Sequence, residues 1–233
     1  MAHLYNEETI SQAINTKWAG KTVHFARETD STNLWGKRAW REEGAGHGEL
    51  FVAEYQSAGR GRFTRRWSAP PDSAITMSIL ICPEFSPQKA PMLTLVMGLS
   101  VAQAVAELGL DVWIKWPNDV VVSRKKICGI LTEMSTEEDT IRYVVVGIGI
   151  NVNAREFPEE IRDKATSLKL ELGRSVKRSE VIQAVAEEFS HLKKEEVLVL
   201  MGHGTTHYAN SIYAALDYTF CLLYTSPSPR DCS

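Results

Sequence analysis

The chain has 233 residues and a mass of 26.1 kDa, with 44% hydrophobic and 24% charged residues. These values are typical of soluble globular proteins and exclude a disordered, collagenous or disulfide-rich chain. A net charge of −3 and a pI of about 6.1 argue against a protein devoted to bulk nucleic-acid binding. No stretch approaches the roughly 18 consecutive apolar residues of a membrane span, and the N-terminus lacks a signal-peptide pattern. The four cysteines form no C-x-x-C pair, which indicates reduced thiols in a cytoplasmic protein.

The predicted helices and strands follow one another in an irregular order. A helix is predicted at residues 7–18, a strand at 23–27, a helix after the capping residues 30–33, and strands at 50–55 and 74–82. A long helix follows at 91–108, apolar on both faces, and then strands at 112–115, 120–123, 126–134 and 141–152 and a helix at 180–192. This order predicts an α+β domain with a mixed or antiparallel sheet and packed helices.

The most informative segment is residues 59–67, GRGRFTRRW, in which four arginines are interleaved with glycines and followed by Trp67. Glycines let backbone N–H groups approach an anion closely, and arginines bind carboxylate or phosphate through two parallel hydrogen bonds. Trp67 offers a face on which a planar ring can stack. The alternative is a solvated basic loop with one aromatic anchor. No Gly-Lys-Ser/Thr follows, so the segment is neither a Walker loop nor a dinucleotide fingerprint.

Two further segments read as turns that could also carry chemistry. Residues 115–119, KWPND, predict a turn in which Asn118 and Asp119 could bind a ligand or a metal-bound phosphate. Residues 147–153, GIGINVN, end a buried strand with two glycines and two asparagines, and a turn explains the asparagines equally well.

A third segment, residues 126–133, reads KICGILTE. Strand alternation places Lys126 on the side of Cys128 and opposite Gly129, and such a lysine often just extends to solvent. A glycine inside a strand indicates that another group approaches the backbone closely at Gly129.

The order of these segments is more specific than any one of them. Ser-Thr-Asn at 31–33 and Glu-Tyr-Gln at 54–56 precede the arginine-rich segment with Trp67, then Lys-Trp-Pro-Asn-Asp, Lys-Ile-Cys-Gly-Ile-Leu and Gly-Ile-Asn-Val-Asn. In this order they resemble the bacterial biotin–protein ligases over residues 23–192. The resemblance implies an α+β catalytic domain of the class II aminoacyl-tRNA synthetase and biotin ligase type.

The resemblance also implies a reaction. Biotin and MgATP would form biotinyl-5′-AMP with release of pyrophosphate, and biotin would then pass to a lysine of a biotin carboxyl carrier protein, a subunit of acetyl-CoA carboxylase. Biotin would be bound by Ser31, Thr32, Asn33, Gln56, Arg60, Gly61, Arg62, Lys126 and Gly129. ATP and the adenylate would be bound by Arg62, Arg65, Trp67, Asn118, Lys126 and Asn151, with Mg²⁺ arriving with ATP. Lys126 and Arg62 would be the catalytic cations, because two anions must be held together against their repulsion.

The same resemblance sets expectations for the domain organisation. Residues 1–22 would form an N-terminal helix, too short for the helix-turn-helix domain of some family members, so DNA is not an expected partner. Residues 193–233 would be a foreign tail in place of the family's C-terminal β-barrel. Within it, residues 197–220 resemble a fragment of the anaerobic sirohydrochlorin cobaltochelatases, and residues 221–233 look like translated adapter sequence. The expected protein is cytoplasmic, makes no membrane contact and is compatible with a homodimer.

Three other functions remain open from the sequence. A lipoate–protein ligase would share the fold and the adenylate chemistry, but its loop would read Arg-Arg-x-x-Gly-Gly-Gly where this chain has Gly-Arg-Gly-Arg. A non-enzymatic ligand- or nucleic-acid-binding module could use the arginines of residues 60–66, but it leaves Lys126 and Asn118 without a role. A tetrapyrrole chelatase is supported only by the tail.

Overall fold

The computed structural model describes residues 5–63 and 65–191, which build a seven-stranded mixed sheet with the strand order β1-β2-β3-β7-β6-β5-β4. The elements in chain order are α1 (Glu7–Ala13), β1 (Val23–Thr29), α2 (Thr32–Arg38), a π-helix (Ala39–Glu43), β2 (Leu50–Gln56), β3 (Ala74–Ile81), a 3₁₀ turn (Pro87–Lys89), α3 (Met92–Ala106), β4 (Val112–Lys115), β5 (Asp119–Val122), β6 (Lys125–Glu137), β7 (Thr140–Asn151), α4 (Leu168–Leu172) and α5 (Arg178–His191).

One pair of neighbouring strands is parallel and the rest are antiparallel. β1 and β2 run in parallel and are joined through α2, as a parallel pair requires a crossover. Tight hairpins connect β5 to β6, where Ser123 and Arg124 have positive φ, and β6 to β7, where Glu138 has positive φ. The predicted α+β class with a mixed sheet is confirmed.

Several predicted boundaries shift in the structure. The first helix ends at Ala13 rather than at residue 18, because the next residue is already extended. Ser31 is the N-cap residue of α2 but makes no side-chain capping bond; Asp30 instead accepts the Ser31 N–H at 2.6 Å and pairs with Arg38 at 2.7 Å. The prediction also lacks the π-helix, the 3₁₀ turn and α4, since elements this short depend on tertiary packing more than on sequence periodicity.

One face of the sheet carries the main hydrophobic core. Alternate residues of the central strands, such as Met77 and Ile79 on β3 and Ile148 and Ile150 on β7, belong to the same buried cluster as residues of α3 and α5. Both faces of α3 are apolar, as predicted, and Leu99 in its middle is 2% exposed. Burial of this face therefore holds the helices on the sheet.

The 3₁₀ turn and α3 together are long and apolar enough to suit a membrane span by length and composition. The segment Pro87–Ala106 has a mean hydropathy of 1.3, and 61% of that window is buried inside the protein. The apolar composition of this segment thus follows from its burial in the core, as in many central helices of globular domains.

The opposite face of the sheet carries a smaller apolar cluster, made of Ala39, Phe51, Leu80, Tyr143 and Val145. Trp35 of α2 and Trp40 of the π-helix pack against it. Further along the same face the side chains become short or polar. The candidate site lies in this part of the face.

Candidate active site

A row of small residues crosses four strands on the second face of the sheet. The strand registers place Ala53 of β2 beside Thr76 of β3, Thr76 beside Gly149 of β7, and Gly149 beside Gly129 of β6. These four residues, the small-residue row, leave a shallow groove in the face of the sheet because their side chains are short or absent, and other side chains cover it, so that Ala53 is 0% and Thr76 4% exposed. Glycines at such places let another group approach the backbone closely.

Trp67 lies over the glycine end of the small-residue row. A Cβ atom added to Gly149 would lie 2.4 Å from Trp67 Cε2, and one added to Gly129 would lie 3.7 Å from Trp67 Cζ3. The indole Nε1 is buried and has no hydrogen-bond partner within residues 5–63 and 65–191. Trp67 therefore packs closely on Gly149 and lies at ordinary contact distance from Gly129, and its contact with adenine stays a prediction.

Lys126 also lies over this row, contrary to the predicted strand alternation. The pairing of β5 with β6 is irregular between Val120 and Val121, so that Cys128 and Lys126, rather than Cys128 and Ile127, face these two residues. A β-bulge of this kind turns the preceding side chain to the other face. The Lys126 Nζ atom consequently lies 2.8 Å from the Cβ position of Gly129 and 2.6 Å from Asp119 Oδ1. The prediction that Lys126 and Cys128 share one face is wrong.

The arginine loop, residues 59–67, closes on itself as a narrow turn. The Trp67 N–H donates to the Gly59 carbonyl at 3.0 Å, and the Gly61 N–H donates to the Arg65 carbonyl at 2.7 Å. Gly59 tolerates no side chain here, because a Cβ atom would lie 2.3 Å from the Trp67 carbonyl oxygen. The backbone of this loop thus needs its glycines for packing, apart from any ligand.

Two arginines of the loop reach residues on or bonded to β6. Arg60 Nη1 lies 3.2 Å from Glu133 Oε1, and Arg62 Nη1 donates to Asn118 Oδ1 at 3.1 Å. Asn118 is itself held to the strand, because its Nδ2 donates to the Ile130 carbonyl at 3.1 Å. The predicted turn at residues 115–119 is present, with a cis peptide bond before Pro117, and it also presents Asn118 to the arginine loop.

A cavity of about 570 Å³ adjoins these contacts. Its walls include Arg62 and Asn118 together with apolar residues of β6 and of the start of α3, namely Met92, Leu95, Ile130 and Leu131. The cavity combines an apolar lining with a few polar groups at one side, the usual make-up of a small-molecule site.

Thr32 and Gln56 form the polar end of the site. Gln56 Oε1 accepts from the Thr32 N–H at 2.7 Å and from its hydroxyl at 3.1 Å. The hydroxyl of Ser78, fully buried on β3, lies 2.7 Å from Thr32 Oγ1 and 2.6 Å from Asn33 Oδ1. One hydroxyl proton can be donated to only one of these two acceptors.

Asn33 continues these contacts to β6. Its Nδ2 donates to Glu133 Oε2 at 2.8 Å and to the Leu131 carbonyl at 3.2 Å. Glu133 also accepts from Lys37 Nζ at 2.8 Å. Burial raises the pKa of the Glu133 carboxyl, but hydrogen bonds from Lys37 and Asn33 outweigh it and hold the pKa below its ordinary value. Glu133 is therefore charged at neutral pH.

Two predicted site residues, Arg65 and Asn151, and Glu54 of the Glu-Tyr-Gln segment are placed apart from this group, whereas Ser31 directly precedes Thr32. Ser31 is 2% exposed at the start of α2, and Arg65 is exposed on the arginine loop. Asn151 donates to the Thr166 carbonyl at 3.1 Å. Glu54, part of the Glu-Tyr-Gln segment, pairs at 2.6 Å with buried Arg178 and ties β2 to α5.

Ser78 and Glu133 are site residues that the sequence did not reveal as such. Ser78 is a hydroxyl in the otherwise apolar segment 77–81, and a buried polar residue needs a partner, so the signal was available. Glu133 stands at the end of a recognised segment, but nothing local to it indicates contacts with α2 and with the arginine loop.

Comparison with known proteins bears on this geometry. A sequence model described as "Biotin/lipoate A/B protein ligase family" matches residues 25–151, which hold every predicted site residue. The chain belongs to this family.

Proteins with similar sequences are named as ligases. The "Bifunctional ligase/repressor BirA" of Bacillus spizizenii is 43% identical over 204 residues, 86% of this chain and 61% of that protein. The "Biotin--[acetyl-CoA-carboxylase] ligase" of Paracoccus denitrificans is 31% identical over 171 residues, 70% of this chain and 69% of that protein. The chain spans 61% and 50% of the length of the two Bacillus relatives it matches.

A solved structure agrees in fold. The biotin protein ligase from Aquifex aeolicus in complex with biotin and ATP superposes with a TM-score of 0.63 at 34% identity, covering 82% of this chain and 77% of that one. The predicted biotin ligase-like α+β fold is confirmed by this likeness.

A second sequence model, described as "Cobalt chelatase (CbiK)", matches residues 174–224. The predicted chelatase-like fragment, residues 197–220, lies inside this match but outside the described residues. The match begins before α5, whose Val181, Ile182 and Phe189 are buried in the main core with α3. The start of a foreign tail at residue 193 stays a prediction.

Proposed function

We propose that this chain is a biotin–protein ligase, which joins biotin to ATP and then to a lysine of a biotin carboxyl carrier protein. The observation that carries the proposal is the arrangement along β6: Lys126 over the small-residue row, Arg62 on Asn118 and Arg60 on Glu133. Three cations thus lie beside the small-residue row, and Thr32 and Gln56 carry neutral hydrogen-bonding groups. A ligand with a neutral polar head, an apolar middle and an anionic end fits that order, and biotin has this form.

The neutral end of the site suits the cyclic urea of biotin. A urea offers two N–H donors and a carbonyl acceptor, and Ser31, Thr32 and Gln56 carry both kinds of group. We assign them to the biotin head. Asn33 is already engaged with Glu133 and Leu131, so its role is to orient α2 beside the head. Gly61 and Gly129 would let the backbone approach the ligand.

The cationic end suits the first reaction step. A carboxylate oxygen of biotin forms a bond to the α-phosphorus of ATP while the bond from that phosphorus to pyrophosphate breaks. Both reactants are anionic, so Lys126 and Arg62 would hold them together and stabilise the charge on the transferring phosphate. Arg60 would bind the biotin carboxylate.

The nucleotide would extend past Trp67, which we assign to adenine, with Arg65 and Asn118 at the phosphates. Asn151 would position Lys126 rather than touch the nucleotide. It donates to the Thr166 carbonyl, and the Thr166 N–H donates to the Lys126 carbonyl at 2.9 Å. Mg²⁺ would enter with ATP as part of the substrate. Residues 5–63 and 65–191 contain no group of three or more His, Cys, Asp or Glu side chains suited to a metal ion.

In the second step the uncharged amine of the carrier lysine attacks the acyl carbon of biotinyl-5′-AMP. The amide bond forms, the acyl–phosphate bond breaks, AMP leaves and the amine loses a proton. We propose a carrier domain of acetyl-CoA carboxylase as the partner and the cytoplasm as the place of reaction. A homodimer is compatible with this reaction, and the acidic pI gives no reason to expect DNA as a partner.

Biotin-dependent exchange of radiolabelled pyrophosphate into ATP tests the proposal. We expect exchange with biotin and none with lipoate, followed by biotin transfer when an isolated carrier domain is added. Exchange with lipoate alone would favour the other branch of the family. A protein that binds RNA but exchanges no pyrophosphate would be a binding module.

A further inference from the structure

Glu133 is the point at which β6, α2 and the arginine loop meet. Its carboxylate contacts Asn33 and Lys37 of α2, each at 2.8 Å, and Arg60 of the loop at 3.2 Å. The Glu133 side chain is 19% exposed, whereas that of Arg60 is 47% exposed. A mostly buried carboxylate therefore holds one half-exposed arginine from a segment that lies outside the named strands and helices.

The charge of Glu133 matters more to the loop than its hydrogen bonds do. Lys37 and Arg60 both contact the same oxygen, Oε1, so two cations share one carboxylate oxygen. With a neutral side chain at position 133 these cations would repel each other. Lys37 is fixed in α2 and 20% exposed, so Arg60 is the group free to move away.

A series of contacts also runs around the start of the loop, in which the single Ser78 proton is donated to either Thr32 or Asn33. They run from Gln56 to Thr32, Ser78, Asn33, Glu133 and Arg60. Gln56 and Arg60 are close neighbours in the chain, so the first residues of the loop are held at both ends. Glu133 provides the attachment on the Arg60 side.

We propose that Glu133 is a positioning residue that anchors Arg60, and with it the arginine loop, at the spacing from Thr32 and Gln56 that biotin requires. This proposal rests on the proposed function for the ligand, but the anchoring itself is a property of the free protein. Glu133 touches no reacting atom in this scheme.

Limited trypsin digestion of the full chain without ligand tests the anchoring. The loop offers cleavage sites after Arg62 and Arg65, and cleavage rates report how often such a segment opens. We expect Glu133→Gln to speed cleavage in the loop by about fivefold, the scale of a half-exposed ion pair. The matched control is Glu137→Gln, on the same strand but paired with Arg142, which should leave loop cleavage unchanged.

A second variant separates anchoring of the loop from general support of α2. Lys37→Met leaves Glu133 charged and paired with Arg60, so loop cleavage should stay at the wild-type rate. If Glu133 merely stabilised α2, Lys37→Met and Glu133→Gln would act alike. Should Glu133→Gln fail to fold, Arg60→Gln removes the same pair from the loop side and should speed cleavage after Arg62 and Arg65.

Biotin titration by calorimetry without ATP gives the readout for function. We expect Glu133→Gln to weaken biotin binding about fivefold, and to raise the KM for biotin in pyrophosphate exchange with kcat within about twofold. Wild-type loop cleavage together with wild-type biotin affinity in a folded Glu133→Gln protein would overturn the proposal. If the wild-type protein binds no biotin at all, the proposed function fails, and the digestion still decides whether Glu133 anchors the loop.

Discussion

The two faces of the central sheet use the same strands for different purposes. On the α3 face, β3 and β7 present an unbroken series of large apolar side chains, such as Met77, Ile79 and Ile148. On the α2 face the same strands change from Leu80 and Val145 to small and polar residues within one or two register positions. The first face is covered by α3 and α5, and the other contains the small-residue row with cations beside it.

This difference indicates where substitutions affect stability and where they affect ligand binding. Apolar burial on the α3 face contributes to the free energy of unfolding wherever it occurs, because the hydrophobic effect is not directional. On the α2 face the glycines and the charged groups bury little apolar surface. They matter because they hold the space and the charges of the site in place. Variants on the two faces should therefore separate stability from activity.

The largest effect on activity is expected from Lys126→Gln on the groove side. Its ammonium lies over Gly129 and pairs with Asp119, and removing one preorganised charge typically lowers a rate by about 10²–10³-fold. The side chain is 36% exposed, so the free energy of unfolding should change by about 1 kcal/mol or less. Biotin-dependent pyrophosphate exchange measures the rate, with Lys125→Gln as the neighbouring control. An unchanged rate in the folded variant would remove Lys126 from the site.

The next largest effect is expected from Gly149→Ala in the small-residue row. The new Cβ atom would lie 2.4 Å from Trp67 Cε2, so the indole must move and the groove narrows. Misplacing such a group by about 1 Å can cost roughly 10²-fold in rate, and we expect a fall of about 10–100-fold in exchange.

The control for this substitution is Gly98→Ala on α3, the same change on the other side of the sheet. Its Cβ atom would meet nothing nearer than Ile130 Cδ1 at 3.6 Å. Alanine is the better helix former by about 1 kcal/mol, so this variant should be active and slightly more stable. Equal loss of pyrophosphate exchange in Gly149→Ala and Gly98→Ala would contradict the assignment of activity to one face of the sheet and stability to the other.

Leu99→Ala should give the opposite result to the groove variants. Leu99 is 2% exposed in the main core, and truncating such a residue costs about 2–5 kcal/mol of unfolding free energy. Below the unfolding transition, biotin affinity should stay at the wild-type value. Urea unfolding and calorimetric titration on one preparation test both statements, and a selective loss of biotin affinity would show that α3 shapes the site directly.

The smallest effect is expected from removing the end of the chain. All predicted site residues lie between Ser31 and Asn151, so a chain ending at Lys194 should bind biotin with MgATP as tightly as the full chain does. If the shorter protein folds and yet binds no biotin, residues 195–233 are part of the site and the foreign-tail hypothesis is wrong. Circular dichroism of both proteins provides the folding control.

The sequence by itself predicted the elements that follow from periodicity. The apolar runs of β3 and β7 and the apolar faces of α3 follow from burial, which a single segment displays in its own residues. The arginine loop was also recognisable, because its glycines and Trp67 stand close together in the chain. Gly129 indicated a close approach to the backbone, and Lys126 provides it.

Only the tertiary structure decided which side chains meet at the site. The bulge at Val120 and Val121 turns Lys126 onto the groove, and one extra residue in a strand is enough to reverse a face. Asn33 and Glu133 are 100 residues apart in the chain, and neither has a local neighbour that predicts their hydrogen bond. Periodicity reports how a segment is buried, whereas hydrogen bonds and ion pairs between distant segments depend on strand register and loop closure, which the folded sheet sets.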